Sequence, residues 1–143
     1  MDTSFHYLLM VTQSLFQRSV MAALSQSGLT AGQPKVLDYL GLHDGAVQRA
    51  IAAGCQIEPA TLSGLLSRME DKGLIYRQSV PGDKRASRVF LTPLGWQKQK
   101  EVRQVLESQT EALLSKLDPS LRQPLLEGLK QACQWMTDTE DLQ

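Results

Sequence analysis

The sequence predicts a mainly α-helical fold that carries one small β-hairpin. Apolar residues recur at spacings of three and four along most of the 143 residues, which is the period of helices buried on one side. Three predicted helix starts carry the pairs Glu58-Pro59, Thr92-Pro93 and Asp118-Pro119, where the fixed φ and missing N–H group of proline suit the first helical position. Two short strand-like runs, 74–79 and 87–91, enclose turn residues and predict the hairpin.

Two helices are predicted before residue 45. Residues 4–25 carry a wide apolar stripe with Arg18 as their only charged residue, which predicts burial on more than one side. Gly28 ends this helix. Thr30 and Gln33 have the spacing of a capping box, so the second helix is predicted to begin there, with Pro34 in its first turn. Residues 41–45 are predicted to form a loop.

The middle of the chain is predicted to contain a short helix, a turn, a second helix and the hairpin. The helix that begins at Pro59 ends at Lys72-Gly73, a cation followed by a glycine that suits a helix C-terminus. No acidic residue occurs from 59 through 69. Residues 81–85 are predicted to form a turn with a basic tip. Two helices joined by a turn and followed by a hairpin constitute a winged helix-turn-helix, whose second helix is the candidate reader of a DNA major groove.

Two long helices are predicted to complete the chain, at 93–117 and at about 119–137. Each carries one apolar stripe. Pro124 either kinks the last helix or marks its true first turn. The predicted fold class is therefore a winged helix-turn-helix core flanked by long helices.

Charge is unevenly distributed along the chain. The 15 Lys and Arg residues balance the 15 Asp and Glu residues, yet residues 46–103 hold ten basic and five acidic residues, a net charge of +5. The rest of the chain then carries −5. A basic middle with acidic ends is expected of a module that meets a polyanion with one region, although a chance imbalance of solvated charges is the alternative.

Several other classes of protein are disfavoured. The charge-free stretch 19–34 is too short and too polar to cross a bilayer, and no secretory leader is recognised. Cys55 and Cys133 lack the spacing of a metal site or a disulfide framework, so no metal and no cofactor are expected, and both thiols are expected to be reduced in the cytoplasm. Catalytic motifs are absent, so an enzyme is not expected.

Several motifs together resemble the MarR family (multiple antibiotic resistance regulators). They are Leu-Thr-Ala-Gly-Gln at 29–33, the run from Ile51 to Ser63, Asp-Lys-Gly-Leu-Ile-Tyr-Arg at 71–77, Asp-Lys-Arg at 83–85 and Leu-Thr-Pro-Leu-Gly at 91–95. Their order and spacing are specific, whereas each alone is weak. The chain departs from the family pattern at Gly64, where a larger polar residue is frequent, at Val47, where a Thr or Ser cap is usual, and at Cys55, where a larger apolar residue is usual.

The resemblance implies a single domain over 1–143, with a DNA-binding core at 30–95 and dimerisation helices at 1–28 and 96–143. It implies a homodimer on a pseudo-palindromic double-stranded operator, usually acting as a repressor, released by a small phenolic ligand or an oxidant. Asp83 would pair with Arg85 in the wing, and Arg77 would meet phosphate. The predicted DNA-binding residues are Thr61, Ser63, Gly64, Arg68, Arg77, Asp83, Lys84, Arg85 and Arg88.

Other roles for these residues stay open at this point. Arg68 could instead anchor its helix through an ion pair, and Arg85 could be a solvated turn cation. Cys55 is interpreted as a small buried hydrophobe and Cys133 as part of a dimer core rather than as sensors. Tyr39, Phe16 and Trp96 either line an aromatic effector pocket or pack in the core. The alternative function is a winged-helix protein-interaction module that does not bind DNA.

Overall fold

The computed structural model describes the backbone of residues 1–140, and the side chains of 83–85 and 138–140 lie outside the described part. Six helices and three short strands follow one another along this backbone. Their bounds are α1 (Phe5–Ala23), α2 (Gln33–Leu42), β1 (Ala46–Val47), α3 (Gln48–Cys55), α4 (Pro59–Asp71), β2 (Ile75–Val80), β3 (Asp83–Leu91), α5 (Pro93–Leu114) and α6 (Pro119–Glu140). The predicted mainly α-helical fold with a small hairpin is confirmed.

The hairpin belongs to a three-stranded antiparallel sheet in the order β1-β3-β2. Strand β1 was not predicted, because two residues are too few to show an alternating pattern. Strand β3 begins at Asp83, so the predicted turn over 81–85 is wrong in extent. Val80 pairs with Asp83, and only Pro81 and Gly82 lie between them. Gly82 has a φ of +83°, a left-handed conformation that lets a two-residue loop close the hairpin.

The chain divides into two compact units, and the boundary between them along the sequence falls within α5. The first unit covers 1–106 and the second covers 107–143. The first has a continuous core to which α1, α2, α3, α4, the sheet and α5 all contribute. Its most deeply buried apolar side chains are Val20, Leu24, Val36, Leu37, Leu40, Ile51, Leu62, Leu66, Met69, Ile75, Val89 and Val102.

The second unit differs from the first because none of its residues 107–137 is buried. Asp118 accepts hydrogen bonds from the backbone N–H and the hydroxyl of Ser120, at 3.0 and 2.9 Å, and these bonds lower the pKa of its carboxyl group. This cap begins α6 at Pro119, as predicted. Pro124 therefore lies inside the helix, and the interpretation of Pro124 as its first turn is wrong. Within the described residues, no helix has the length and apolar character needed to span a membrane.

The C-terminal end of α4 is fastened to the segment between α1 and α2. The Lys72 ammonium donates to the carbonyl oxygen of Gly28 at 2.9 Å and to Gln33 Oε1 at 3.1 Å. Gln33 Oε1 also accepts from the backbone N–H of Thr30 at 3.0 Å, which is the reach-back half of the predicted capping box. The other half is not formed, because Gly32 rather than Thr30 is the N-cap of α2.

Thr92 joins the base of the hairpin to the start of α5. Its hydroxyl donates to the Gly73 carbonyl oxygen at 2.5 Å and accepts from the Gly95 N–H at 2.9 Å. The Thr92 N–H donates to the Leu74 carbonyl oxygen at 3.1 Å. A Cβ atom on Gly95 would collide with that same oxygen of Leu74. The motif Leu-Thr-Pro-Leu-Gly therefore combines a helix cap with a close backbone approach.

Replacing Gly95 by Ala is expected to destabilise the fold by about 2 kcal/mol or more, because the new methyl group meets backbone atoms that have no room to move. The matched control is Gly64→Ala, since a Cβ there meets only the Arg68 guanidinium at an ordinary 3.4 Å. That change should stabilise by up to about 1 kcal/mol through helix propensity. Urea unfolding monitored by circular dichroism measures both, and equal effects of the two changes would contradict the expectation.

Candidate nucleic-acid interface

Helix α4 has one buried face and one exposed polar face. Leu62, Leu65, Leu66 and Met69 recur at spacings of one, three and four and are buried in the core. The opposite face exposes the predicted DNA-binding residues Thr61, Ser63 and Arg68, together with Ser67. Burial of one face thus fixes which side chains the helix presents to solvent.

The Arg68 side chain lies back along α4 towards Gly64. The Nη1 atom would stand 3.4 Å from a Cβ atom on Gly64, which lies one turn earlier in the helix. The missing side chain at 64 therefore leaves room beside the guanidinium. The described part of the chain gives Arg68 no acidic partner, so the anchoring ion pair considered from the sequence is not found there.

Ser63 is tied to α3 by a contact that the sequence did not predict. The Gln48 side-chain amide donates to Ser63 Oγ at 2.8 Å. Gln48 is the first residue of α3 and is half-buried. Because the two residues are 15 positions apart, no periodic pattern connects them, and sequence reasoning had no signal with which to find this pair.

Arg77 on β2 reaches back to the C-terminal half of α4. Its guanidinium contacts both carboxylate oxygens of Glu70, at 3.3 and 3.4 Å, and donates to Ser67 Oγ at 3.3 Å. The structure shows Arg77 paired within the chain, and its contact with phosphate, which the resemblance implies, stays a prediction. Side chains that are 26% and 42% exposed form a pair worth about 1 kcal/mol or less. Breaking this pair therefore costs little free energy.

Arg88 has an intramolecular partner in the loop before β1. Its Nη1 atom donates to the Gly45 carbonyl oxygen at 3.1 Å, and its backbone lies opposite Val47 in the sheet. Asp44 in the same loop accepts from the Leu91 N–H at 2.8 Å. Arg88 thus helps to hold the entry to α3, and its predicted contact with DNA stays a prediction.

The predicted wing residues Asp83, Lys84 and Arg85 begin β3, beside the Pro81-Gly82 turn. Their side chains lie outside the described part of the structure. The pairing of Asp83 with Arg85 and the reach of Lys84 towards DNA stay predictions for that reason. The backbone alone shows that these residues are at the hairpin tip.

A cleft of about 300 Å³ lies between α2 and the end of α3. It is lined by Lys35, Asp38, Tyr39, Leu42, His43, Gly54 and Cys55. The rings of Tyr39 and His43 are stacked with centroids 4.4 Å apart. A Cβ atom on Gly54 would collide with the Tyr39 ring, so this glycine makes room for the stack. Tyr39 lines the cleft and also packs against the core, whereas Phe16 and Trp96 pack against the core and do not line this cleft.

Cys55 lies at the inner side of this cleft as a buried thiol. Its Sγ donates to the Lys35 carbonyl oxygen at 3.5 Å. Burial raises the pKa of the Cys55 thiol to about 11, with the Lys35 charge opposing the shift and the Asp38 charge adding to it. The interpretation of Cys55 as a small buried hydrophobe is consistent with these surroundings. Cys133 is exposed in the single chain.

We expect Cys55 to react slowly with thiol reagents. In a Cys133→Ser chain at pH 8, iodoacetamide should alkylate Cys55 about a hundredfold more slowly than in the same chain unfolded in urea, because the folded thiol is rarely ionised. The folded chain also holds this proton more tightly, so Cys55 contributes stability that is present below about pH 9 and is lost as the pH rises through about 11. Equal alkylation rates in the folded and unfolded chains would contradict both statements.

The chain is similar in sequence to known proteins. The sequence model described as MarR family matches residues 27–86. A protein from Thauera aromatica, named as a transcriptional regulatory protein for the hcr operon, is 25% identical over 115 residues, which cover 80% of this chain and 69% of that protein.

Solved structures show the same fold. The structure of MepR from S. aureus in complex with DNA is 25% identical to this chain, with a TM-score of 0.83 and coverage of 93% of this chain and 98% of MepR. NadR in complex with 4-hydroxyphenylacetate is 21% identical, with a TM-score of 0.76 and coverage of 92% of this chain and 93% of NadR. The matched segment 27–86 contains both helices of the helix-turn-helix and most of the hairpin. Residues 27–86 of the chain therefore match the MarR family, and its winged helix-turn-helix fold is similar to that of MepR.

Proposed function

We propose that the chain is a homodimeric repressor that binds a specific DNA operator through α4 and the hairpin. The observation that carries the proposal is the exposed face of α4. It presents Thr61, Ser63 and Arg68 without an acidic side chain between 59 and 69, while its opposite face is buried in the core. Short polar side chains let the helix backbone approach base edges closely, and the cations suit phosphate.

In this proposal, residues 30–95 bind the DNA. Helix α4 enters the major groove and the hairpin tip reaches the adjacent minor groove, where narrow A-tract grooves attract Lys and Arg. Arg77 exchanges its Glu70 partner for a phosphate group. The DNA complex of the similar MepR supports this docking.

A second copy of the chain is the proposed partner of the apolar helix faces. Phe5, Leu9 and Leu15 are exposed along α1, and Leu121, Leu125 and Leu129 are exposed at spacings of four along α6. A unit of 37 residues without a buried side chain among its described residues is too small to be stable alone. Covering such faces requires a partner, and two-fold symmetry would match a pseudo-palindromic operator. Residues 1–28 and 96–143 are then the dimerisation segments.

The proposed effector is a small aromatic acid that binds the α2–α3 cleft. A volume of about 300 Å³ suits one aromatic ring, the Lys35 ammonium suits a carboxylate, and the Tyr39–His43 stack offers an aromatic surface. The similar fold of NadR, solved with 4-hydroxyphenylacetate, supports this ligand class. Such a ligand releases DNA only if it binds more tightly to the dimer at one separation of its two α4 helices than at another. Titration of 4-hydroxyphenylacetate into the protein–DNA complex tests this step.

Replacing Arg68 by Ala is expected to weaken binding to duplex DNA from the region upstream of the protein's own gene. In the proposed dimer each of the two chains loses one phosphate contact, so the slope of log K against log salt should become shallower by about two. Fluorescence anisotropy across a salt series measures this slope. The control is Lys116→Ala, which removes an exposed cation outside the proposed interface and should leave the slope unchanged.

The same anisotropy measurement on Arg85→Ala tests the wing. Sequence-selective binding that Arg85→Ala weakens would support both halves of the interface. If the wild-type chain binds operator and scrambled duplex alike, and fragments captured genome-wide show no common sequence, the DNA-binding proposal is wrong. A protein-interaction module that does not bind DNA would then be the better hypothesis for the function of the chain.

Replacing Leu125 by Asp is expected to break the dimer, because a buried unpaired carboxylate is costly at an interface. Sedimentation equilibrium at micromolar concentration should give twice the mass of one chain for the wild type and the mass of a single chain for the variant. Gln123→Asp adds the same charge on the opposite side of α6 and should leave the dimer intact. A wild-type chain that sediments as a monomer would contradict the proposal.

A further inference from the structure

Two serines one turn apart on the exposed face of α4 differ in their hydrogen bonding. The Ser67 hydroxyl donates to the Ser63 carbonyl oxygen at 3.1 Å, and its oxygen accepts from the Arg77 guanidinium at 3.3 Å. A serine hydroxyl has one proton and two lone pairs. The hydroxyl proton of Ser67 is therefore used in a hydrogen bond within α4, and the Ser67 oxygen positions the Arg77 guanidinium.

The Ser63 hydroxyl is arranged in the opposite way. Its oxygen accepts from the Gln48 amide at 2.8 Å, and the described residues provide no acceptor for its own proton. One lone pair is occupied by the amide, so the hydroxyl is left as a donor on the solvent-exposed side of α4. In contrast to Ser67, Ser63 is prepared to donate to a group outside the chain.

Gln48 is held by the elements around it. Val47 immediately before it pairs with Arg88 in the sheet, and the Arg88 guanidinium is bonded to the Gly45 carbonyl oxygen. Gln48 is also half-buried at the start of α3, which restricts its side chain. The amide therefore reaches Ser63 from a fixed backbone rather than from a mobile loop.

We infer that Gln48 is a positioning residue that orients Ser63 as a hydrogen-bond donor, and that this donor determines base preference at one position of each operator half-site. The inference rests on the proposed DNA binding. In the major groove, guanine, adenine and thymine present acceptors, whereas cytosine presents its N4 amino donor. The oriented hydroxyl therefore disfavours cytosine on the contacted strand at that position.

The test starts from the operator that the wild-type chain selects from a random duplex pool. Each position of a half-site is then changed to all four base pairs, and affinity is measured for wild type, Ser63→Ala, Gln48→Met and the control Ser67→Ala. We expect the wild type to disfavour cytosine about fivefold at one position. Ser63→Ala and Gln48→Met should each reduce this discrimination to about twofold or less at the same position. The double variant should show no further reduction. Ser67→Ala should retain this discrimination, although the release of Arg77 lowers its affinity for every duplex alike.

The Gln48→Glu variant tests the role of Gln48 independently. A carboxylate accepts but does not donate, so it would take the Ser63 proton, and the base preference should be lost although the side chain keeps its length. The added charge weakens binding to every duplex alike and cancels in the ratio between bases. Thermal unfolding of each variant confirms that it is folded.

The outcomes separate this inference from the proposal on which it depends. Wild-type protein without any base preference overturns both. A selective wild type whose preference survives Gln48→Met or Gln48→Glu overturns the inference alone, as does equal loss of preference in Ser67→Ala.

Discussion

Burial of one face of α4 is the constraint on which the candidate interface depends. Leu62, Leu66 and Met69 are fully enclosed by the core, so the helix cannot rotate about its axis without exposing them. Large-to-small changes at such positions typically cost about 2–5 kcal/mol, which shows how strongly this orientation is fixed. The exposed face, with Ser63 and Arg68, is set by the same burial.

The position of α4 along its axis depends on polar contacts at its end. Lys72 is bonded to the segment that joins α1 and α2, and Thr92 links the turn after α4 to the start of α5. These bonds connect α4 to both flanking regions of the first unit. Gln33 on α2 and Lys72 at the end of α4 are in direct contact.

The candidate interface is built from several elements rather than from α4 alone. Gln48 on α3 contacts Ser63, and Arg77 on β2 contacts Ser67 and Glu70. Hydrogen bonds between neighbouring elements restrict side chains that would otherwise be free on a helix surface, and this pre-ordering lowers the entropic cost of binding. The pairing of Arg77 with Glu70 also holds a cation beside α4.

The sequence by itself determined the local structure of this protein. Apolar periodicity, the three X-Pro starts and the glycines after helices predicted every helix, because these signals act within one or two turns of backbone. The exposed residues of α4 followed from the same period.

The tertiary structure alone decided strand β1, the start of β3 and the partners of Gln48, Arg77 and Lys72. The two side chains of the Gln48 pair are 15 positions apart and those of Lys72 and Gln33 are 39 apart. Contacts of that separation depend on how the helices pack, and they leave no repeating pattern in the sequence.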